Sequence, residues 1–182
     1  MAVGRPREFD PDQVEDIAMK LFWDRGFDGV SISDLTAATG VNRRGIYAEF
    51  GSKEQLFERA KRRYVSGPAS YVARALTQPT AREVAEALVH GAADATSGDT
   101  PGCLLVGTAD GLAEFREAAV RELAERFDEA VAAGELSDVD TLLLARWIAA
   151  VCQGISIQAR SGAGREELHQ LADLALAGWP SP

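Results

Sequence analysis

The chain has 182 residues, of which 46% are hydrophobic, and its formal net charge is −9 at pH 7. This apolar content is enough for a packed core without disulfide or metal staples. The opening sequence MAVGRPREFD lacks the apolar segment of a signal peptide, so we expect a cytoplasmic protein. The negative net charge argues against a nucleic-acid partner, but charge acts locally, so its distribution along the chain matters more than its total.

The charge is concentrated in one part of the chain. Residues 1–64 carry eleven basic and eleven acidic side chains, whereas residues 65–182 carry eight and seventeen, so the second part accounts for the whole net charge. Within residues 42–63, seven basic side chains stand against three acidic ones. The basic residues of this segment are Arg43, Arg44, Lys53, Arg59, Lys61, Arg62 and Arg63.

Helix start and stop signals dominate the first part. Asp10 followed by Pro11 predicts a helix that ends at Gly26, with an apolar stripe on one face. Ser31 and Asp34 form a capping-box pattern, which predicts a second helix over residues 32–39 before Gly40. The stripe of the first helix consists of Val14, Ile17, Ala18, Leu21 and Phe22.

Two further helices follow closely. Asn42 is placed to cap the short helix RRGIYAEF, and Ser52 begins another helix that runs to the Gly67-Pro68 pair. Since this pair breaks helices, it marks a boundary between modules. We therefore predict two domains, residues 1–64 and residues 65–182.

Helices are also predicted in the remainder, so the expected fold class is all-α. One covers residues 81–94, and a longer one carries apolar residues at helical spacing before Gly134. Residues 102–110, GCLLVGTAD, are compatible with a strand or a helix. Because no partner strand is evident elsewhere, we predict a short buried helix there.

The last two predicted helices, at residues 138–160 and 165–177, differ in polarity. The first is apolar on almost every face, but it is shorter than a typical membrane span and contains Arg146 and Gln153, which favours a buried helix over a membrane-spanning one. A helix of this kind needs cover that a small chain supplies only in part. We therefore predict a homodimer through residues 138–177.

The two short helices joined by GVN form a helix-turn-helix pattern, whose second helix can enter the major groove of DNA. Arg43 and Arg44 can pair with guanine edges, and Gly45 leaves room for close approach. Tyr47 and Lys53 are placed to contact phosphates. These residues predict a DNA-binding surface.

The segments GRPREFD and MKLFWDRGFDGVSISDLTAATGVNRRGIYAEFGSKEQLFERAKRRY, within residues 4–64, resemble the DNA-binding domain of the TetR/AcrR family. The resemblance implies that Ser31 and Lys53 position phosphates and that Arg5 and Arg7 contact the minor groove or the backbone. The tail, QGISIQARSGAGREELHQLADLALAGW, resembles the dimerising last two helices of one branch. The resemblance to the TetR/AcrR family also implies that the protein binds a double-stranded DNA operator and a small-molecule effector.

The effector site is predicted from side-chain chemistry in the second part of the chain. We selected residues that offer aromatic surface or an isolated polar group in otherwise apolar helices. Because no basic cluster accompanies them, a neutral or cationic small molecule is expected. The candidates are Phe115, Trp147, Cys103, His90 and Gln153.

An enzyme is disfavoured, because the sequence contains no Walker A, GxGxxG, GxSxG or HExxH motif and its histidines are His90 and His169. We expect no cofactor and no metal. Cys103 and Cys152 lie in apolar stretches and are interpreted as buried thiols, with a redox or metal role as the alternative. The predicted function is a ligand-responsive homodimeric repressor that binds a palindromic operator, and the alternative is a helical protein-interaction adaptor.

Overall fold

The computed structural model describes residues 9–107, 111–137 and 139–180. The described residues contain helices and no strand, so the all-α prediction is confirmed. Two compact units divide the chain, Met1–Ser66 and Gly67–Pro182. The helices are α1 Pro11–Arg25, α2 Ile32–Thr39, α3 Arg43–Phe50, α4 Lys53–Ser66, α5 Tyr71–Leu76, α6 Ala81–Thr96, α7 Leu112–Ala132, α8 Thr141–Arg160 and α9 Arg165–Leu176.

Local capping chemistry sets the helix ends of the first unit, as predicted. The Asp10 side chain accepts a hydrogen bond from the amide of Asp12 at 3.0 Å and begins α1. Ser31 and Asp34 form the reciprocal capping box of α2. Gly40 then ends α2 with φ of 72°, a left-handed conformation that favours glycine.

The first unit packs its core around α1 and α4. Helix α1 lies against α4 and α2, and α3 packs against both α2 and α4. Phe57 of α4 contacts two other rings, with centroid distances of 5.1 Å to Phe22 and 5.0 Å to Phe27. Trp23 meets Tyr64 edge to face at 4.9 Å. These aromatic contacts bury large apolar areas between α1, the connection that follows it and α4.

Ion pairs reinforce the packing of α4 on α1. The Arg63 guanidinium binds Asp16 through two nitrogens and also lies 3.3 Å from Asp12 Oδ1. Arg59 Nη1 lies 3.1 Å from Glu15 Oε1. Because the Arg63 hydrogen bond favours the ionised carboxylate, the pKa of Asp16 is lowered from its ordinary value.

In the second unit, α6 is the central helix and packs against α5, α7, α8 and α9. The buried face of α6 is made of small and branched residues, and the buried residues of α8 pack against it. The Thr80 side chain and Glu83 cap α6 reciprocally. The predicted helices over residues 81–94 and 165–177 are thereby confirmed with shifted ends.

Two parts of the second unit differ from the sequence prediction. Residues 102–107 form turns and bends, so the helix predicted over residues 102–110 is wrong for its described part. Gly102 has φ of 90°, which is incompatible with helical geometry. The backbone carbonyls of the segment accept hydrogen bonds from a side chain of α7 instead of from a helix of their own. Arg116 Nη1 donates to the carbonyls of Leu105 and Gly107. Helix α5 also forms, although no separate helix was predicted at residues 71–76.

Helix α8 is long and apolar enough to cross a membrane by length and composition, with a mean hydropathy of 1.4. One such helix is weak evidence for a span, since core helices pass the same test. It packs against α6, α7 and α9 and buries Ile148 and Ile155. Only 33% of the most apolar 18-residue stretch of α8 is buried, however. The helix that was predicted to be buried is therefore covered by the rest of the chain on one face only.

Candidate functional site

The first two residues of α3, Arg43 and Arg44, form the tip of a helix that is turned outward. Both side chains are exposed, whereas Ile46 and Phe50 of the same helix are buried. Asn42 caps the helix by accepting a hydrogen bond from the Gly45 amide at 2.9 Å. The turn Gly40-Val41-Asn42 that joins α2 to α3 is anchored by the buried Val41. This is the geometry of a helix-turn-helix unit.

The seven basic residues of the segment 42–63 separate into two groups in the structure. Arg59, Lys61 and Arg63 each form an ion pair with a carboxylate. Within the described part of the chain, no carboxylate lies within ion-pair distance of Arg43, Arg44, Lys53 or Arg62, and Arg62 lies farther along α4. The unpaired group is concentrated at the beginnings of α3 and α4.

The position of these cations opposes the helix macrodipole. A helix N-terminus carries partial positive charge, so a cation there costs about 0.3–1 kcal/mol. Arg43 and Arg44 lie in the first turn of α3, which contains no acidic residue, whereas Lys53 begins α4 beside Glu54. Local rules of this kind are usually violated where function requires it. An extended polyanion would meet these cations at the beginnings of the two helices, where helix N-termini favour negative charge.

Aromatic rings orient two of these cations. The Arg43 guanidinium carbon lies 5.9 Å from the centroid of the Tyr47 ring, which is 40% exposed. Lys53 Nζ lies 4.0 Å from the centroid of Phe27, a favourable cation–π distance. The ring of Phe27 leaves the ammonium protons available to an external acceptor. Phe27 was not predicted as part of this surface, and only the tertiary structure brings it beneath Lys53.

Two of the predicted contact residues also have internal roles. A Cβ atom at Gly45 would lie 2.9 Å from Val41 Cγ1 and 3.4 Å from a ring carbon of Phe9, so the glycine permits close packing inside the unit. The Ser31 hydroxyl and amide both donate to Asp34. A phosphate contact through Ser31 would therefore require breaking part of the capping box. The predicted arm residues, Arg5 and Arg7, lie outside the described residues.

A cavity of about 160 Å³ lies among the helices of the second unit. The predicted effector residues Cys103, Phe115 and Gln153 line it together. Sequence reasoning missed other lining residues, because the contributing segments are far apart and carry no common motif. They include Tyr71, Leu88, Arg116, Ile148, Cys152 and Ser156.

Burial sets the protonation of the cavity groups. Desolvation raises the pKa of the Cys152 thiol to about 12, and the neighbouring Cys103 adds to the shift. Desolvation likewise raises the pKa of Tyr71 above that of an exposed phenol. At neutral pH the cavity therefore presents a neutral phenol and, at Cys152, a neutral thiol that donates to the Leu88 carbonyl at 3.7 Å.

The other two predicted effector residues lie elsewhere. Trp147 packs partly buried against the core and does not line the cavity. His90 of α6 faces α9, where its Nδ1 lies 2.9 Å from His169 Nδ1. Each ring also meets an aspartate: His169 Nε2 lies 2.8 Å from Asp94 Oδ1, and His90 Nε2 lies 3.4 Å from Asp173 Oδ1. Together the two histidines join α6 to α9, and the described residues contain no cluster suited to a metal ion.

Comparison with known proteins agrees with the geometry of the first unit. Residues 16–60 match the family model for bacterial regulatory proteins of the tetR family. The HTH-type transcriptional repressor ComR of Escherichia coli (strain K12) is 35% identical, with 97% of this chain and 92% of ComR covered. The repressor BdcR of the same organism is 31% identical, with 96% and 90% covered.

Solved structures give the same assignment. A cysteine mutant of the TetR family regulator CifR, complexed with 26-base-pair operator DNA, has a TM-score of 0.90 and 36% identity and covers 97% of this chain and 100% of that chain. A TetR-type regulator from Rhodococcus sp. RHA1 has a TM-score of 0.62 and 35% identity, with 94% and 100% covered. The chain therefore belongs to the TetR family of helix-turn-helix transcriptional regulators.

Proposed function

We propose that the chain is a homodimeric repressor that binds a pseudo-palindromic operator through α3 and leaves it when a small molecule enters the cavity of the second unit. The observation that carries this proposal is the exposed tip of α3, where Arg43 and Arg44 have no carboxylate partner among the described residues. The relatives ComR and BdcR are named as repressors, which supports repression rather than activation as the effect of DNA binding. In this proposal the protein catalyses no reaction.

The proposed DNA contacts divide into two kinds. Arg43 and Arg44 enter the major groove and donate to guanine edges, which favours an operator half-site that contains guanine. Tyr47 and Lys53 contact phosphates and set the register of the helix, with Lys53 held over the Phe27 ring. Gly45 and Ser31 contribute by shaping the unit, while Arg5 and Arg7 extend the contact as an arm. Since bacterial operators lie in the cytoplasm, the protein acts there.

The proposed dimer joins α8 and α9 of two copies. Leu143, Ala150 and Ile157 recur at seven-residue intervals along α8 and are all exposed, which places them on one face. Leu171 and Leu174 of α9 are also exposed, the latter by 73%. Exposed leucines on two adjacent helices are costly in water, and a second copy would cover them by a two-fold axis.

Charge placed on this face tests the dimer. Leu174→Glu should shift the protein from dimer to monomer in analytical ultracentrifugation at micromolar concentration, because two carboxylates would meet in an apolar interface. Ala118→Glu, on an exposed position of α7, is the matched control and should leave the dimer intact. A monomeric wild-type protein would contradict the proposal.

The proposed effector acts by differential affinity. A ligand can release the operator only if it binds more tightly to the dimer whose two DNA-binding units are wrongly spaced for DNA. The cavity supports this role because it is lined by three of the predicted effector residues and by predominantly apolar neighbours.

Operator binding is tested by fluorescence anisotropy with DNA from upstream of the gene and a scrambled duplex, at several salt concentrations. We expect tight binding to the upstream DNA that resists competitor and weakens as salt rises, because phosphate contacts release counterions. Equal, weak binding to both duplexes would contradict recognition of this DNA. If other candidate operators also failed, the protein-interaction adaptor would become the better interpretation.

A further inference from the structure

The cavity among α5, α6, α7 and α8 restricts the chemistry of its ligand. We propose that it binds a compact, uncharged molecule of about the size of a substituted benzene, with one hydrogen-bonding group that meets the Tyr71 phenol. This inference rests on the proposed function only in treating the cavity as the effector site. The ligand class follows from the size, the charge and the unused hydrogen-bonding groups of the cavity.

Size gives the first restriction. The cavity volume is about 160 Å³, which is close to that of an engineered apolar protein cavity of about 150 Å³ that takes up benzene. Apolar side chains form most of the wall, including Val72, Leu76, Leu88, Leu123 and Ile148. A ring with one small substituent fills this space, and because the cavity is partly open to solvent, a multi-ring or long-chain molecule would leave part of its surface outside.

Charge gives the second restriction. Arg116 and Glu122 are the charged residues that line the cavity among the described residues. Arg116 Nη1 donates to the carbonyls of Leu105 at 2.8 Å and Gly107 at 3.1 Å, so it holds the loop over residues 102–107. Glu122 is exposed. Because Arg116 is engaged by these two carbonyls and Glu122 is exposed to solvent, an ionic ligand would lose hydration without a charge in the cavity that is free to compensate for the loss.

Hydrogen bonding gives the third restriction. No protein acceptor among the described residues pairs with the Tyr71 hydroxyl. Tyr71 lines the cavity together with Cys103 and Cys152, whose proximity contributes to its raised pKa, so the phenol is available to a ligand there. Gln153 offers a second polar group on the α8 wall. A ligand with a hydroxyl or carbonyl can pair with the phenol, and a hydrocarbon cannot.

Four probes that share one ring separate these features: benzyl alcohol, toluene, benzoate and benzylammonium. Isothermal titration calorimetry with the full-length, DNA-free protein measures each affinity. We expect benzyl alcohol to bind most tightly, toluene to bind several-fold more weakly for lack of a hydrogen bond, and both ions to bind roughly 100-fold more weakly because they are desolvated.

Tyr71→Phe then tests the phenol without changing the shape of the cavity. The variant should reduce benzyl alcohol affinity to or below the level of toluene, because the ligand hydroxyl is left without a partner, and should leave toluene affinity unchanged, so toluene serves as the control for packing. An equal loss for both probes would assign Tyr71 a packing role and overturn the hydrogen-bonding part of the proposal. Tightest binding of benzoate would overturn the uncharged class and indicate an anion held by Arg116.

Parallel anisotropy measurements keep this inference separable from the proposed function. If no probe binds at millimolar concentration while the operator is still bound, the ligand class is wrong and the DNA-binding regulator stands. If benzyl alcohol binds in the predicted order but never releases operator DNA, the ligand class is supported and the role of the cavity in induction is contradicted.

Discussion

The two units differ in whether their arginines have partners within the protein. In the second unit, arginines are held by protein acceptors: Arg116 binds two loop carbonyls, Arg126 binds the carbonyls of Gln78 and Pro79, and Arg165 lies 2.7 Å from Asp94. In the first unit, Arg43 and Arg44 at the tip of α3 have no carboxylate partner among the described residues. The two arginines at the N-terminus of α3 are therefore available to a partner outside the chain.

The same contrast exists within the first unit, between Arg44 on α3 and Arg63 on α4. Arg63 lies against Asp12, Glu15 and Asp16 and joins α4 to α1. Arg44 is exposed and is bound to none of them. Net charge alone does not separate these residues, since both belong to the segment 42–63. Their expected mutant phenotypes are therefore opposite, one affecting DNA binding and the other folding.

The largest effect is expected for Arg44→Ala, which should weaken operator binding by about 1–3 kcal/mol in fluorescence anisotropy and relax the preference at one base position. Its folding stability should stay the same or rise slightly, since a cation leaves a helix N-terminus. Arg62→Ala is the matched control, because Arg62 is exposed and unpaired but lies farther along α4. Equal losses for both variants would show that only the general positive field matters.

Arg63→Ala should have the complementary effect. Loss of the hydrogen bonds to Asp16 and of the nearby ion pairs should lower the free energy of unfolding by about 1 kcal/mol in urea titrations, a modest value because the carboxylates are partly exposed. The fraction that remains folded should bind the operator with unchanged affinity. Full stability together with weakened DNA binding would reverse the assignment of the two arginines.

A smaller effect is expected for Lys53→Gln, which keeps most of the side-chain length and its hydrogen-bonding capacity but removes its charge. Affinity should fall similarly for operator and scrambled DNA, and the slope of log affinity against log salt should decrease by about 1. Selective loss on the operator would instead indicate that Lys53 contacts a base.

The smallest effect is an acid dependence from Asp16. Because Arg63 lowers the folded-state pKa of this carboxyl below its ordinary value of 3.8, its stabilising contribution is fully present above that value. It is lost as the pH falls through the lower, folded-state pKa. Asp16→Asn should therefore flatten the decline of stability below about pH 4 in urea titrations. An unchanged decline would show that other carboxyls control acid unfolding.

Much of the first unit was predictable because its signals are local. The ends of α2 agree with the prediction, since the Ser31–Asp34 capping box operates over three residues. The same signals are weaker at residues 71–76, where Ser70 makes no capping hydrogen bond, and α5 was not predicted. The segment 102–107 was assigned wrongly because the absence of a partner strand left a buried helix as the interpretation of its apolar run, whereas Gly102 and the carbonyl contacts of Arg116 hold it as turns.

The sequence by itself determined the helical class, the helix-turn-helix and the basic tip of α3, because capping, glycine turns and charge runs act between near neighbours. Only the tertiary structure decided which basic residues are paired, since Arg63 meets Asp16 across 47 positions of the chain. It also placed His90 beside His169, 79 positions away, and brought Tyr71, Phe115 and Cys152 to one cavity. Such contacts depend on how whole helices pack, and helix packing leaves no short pattern in the sequence.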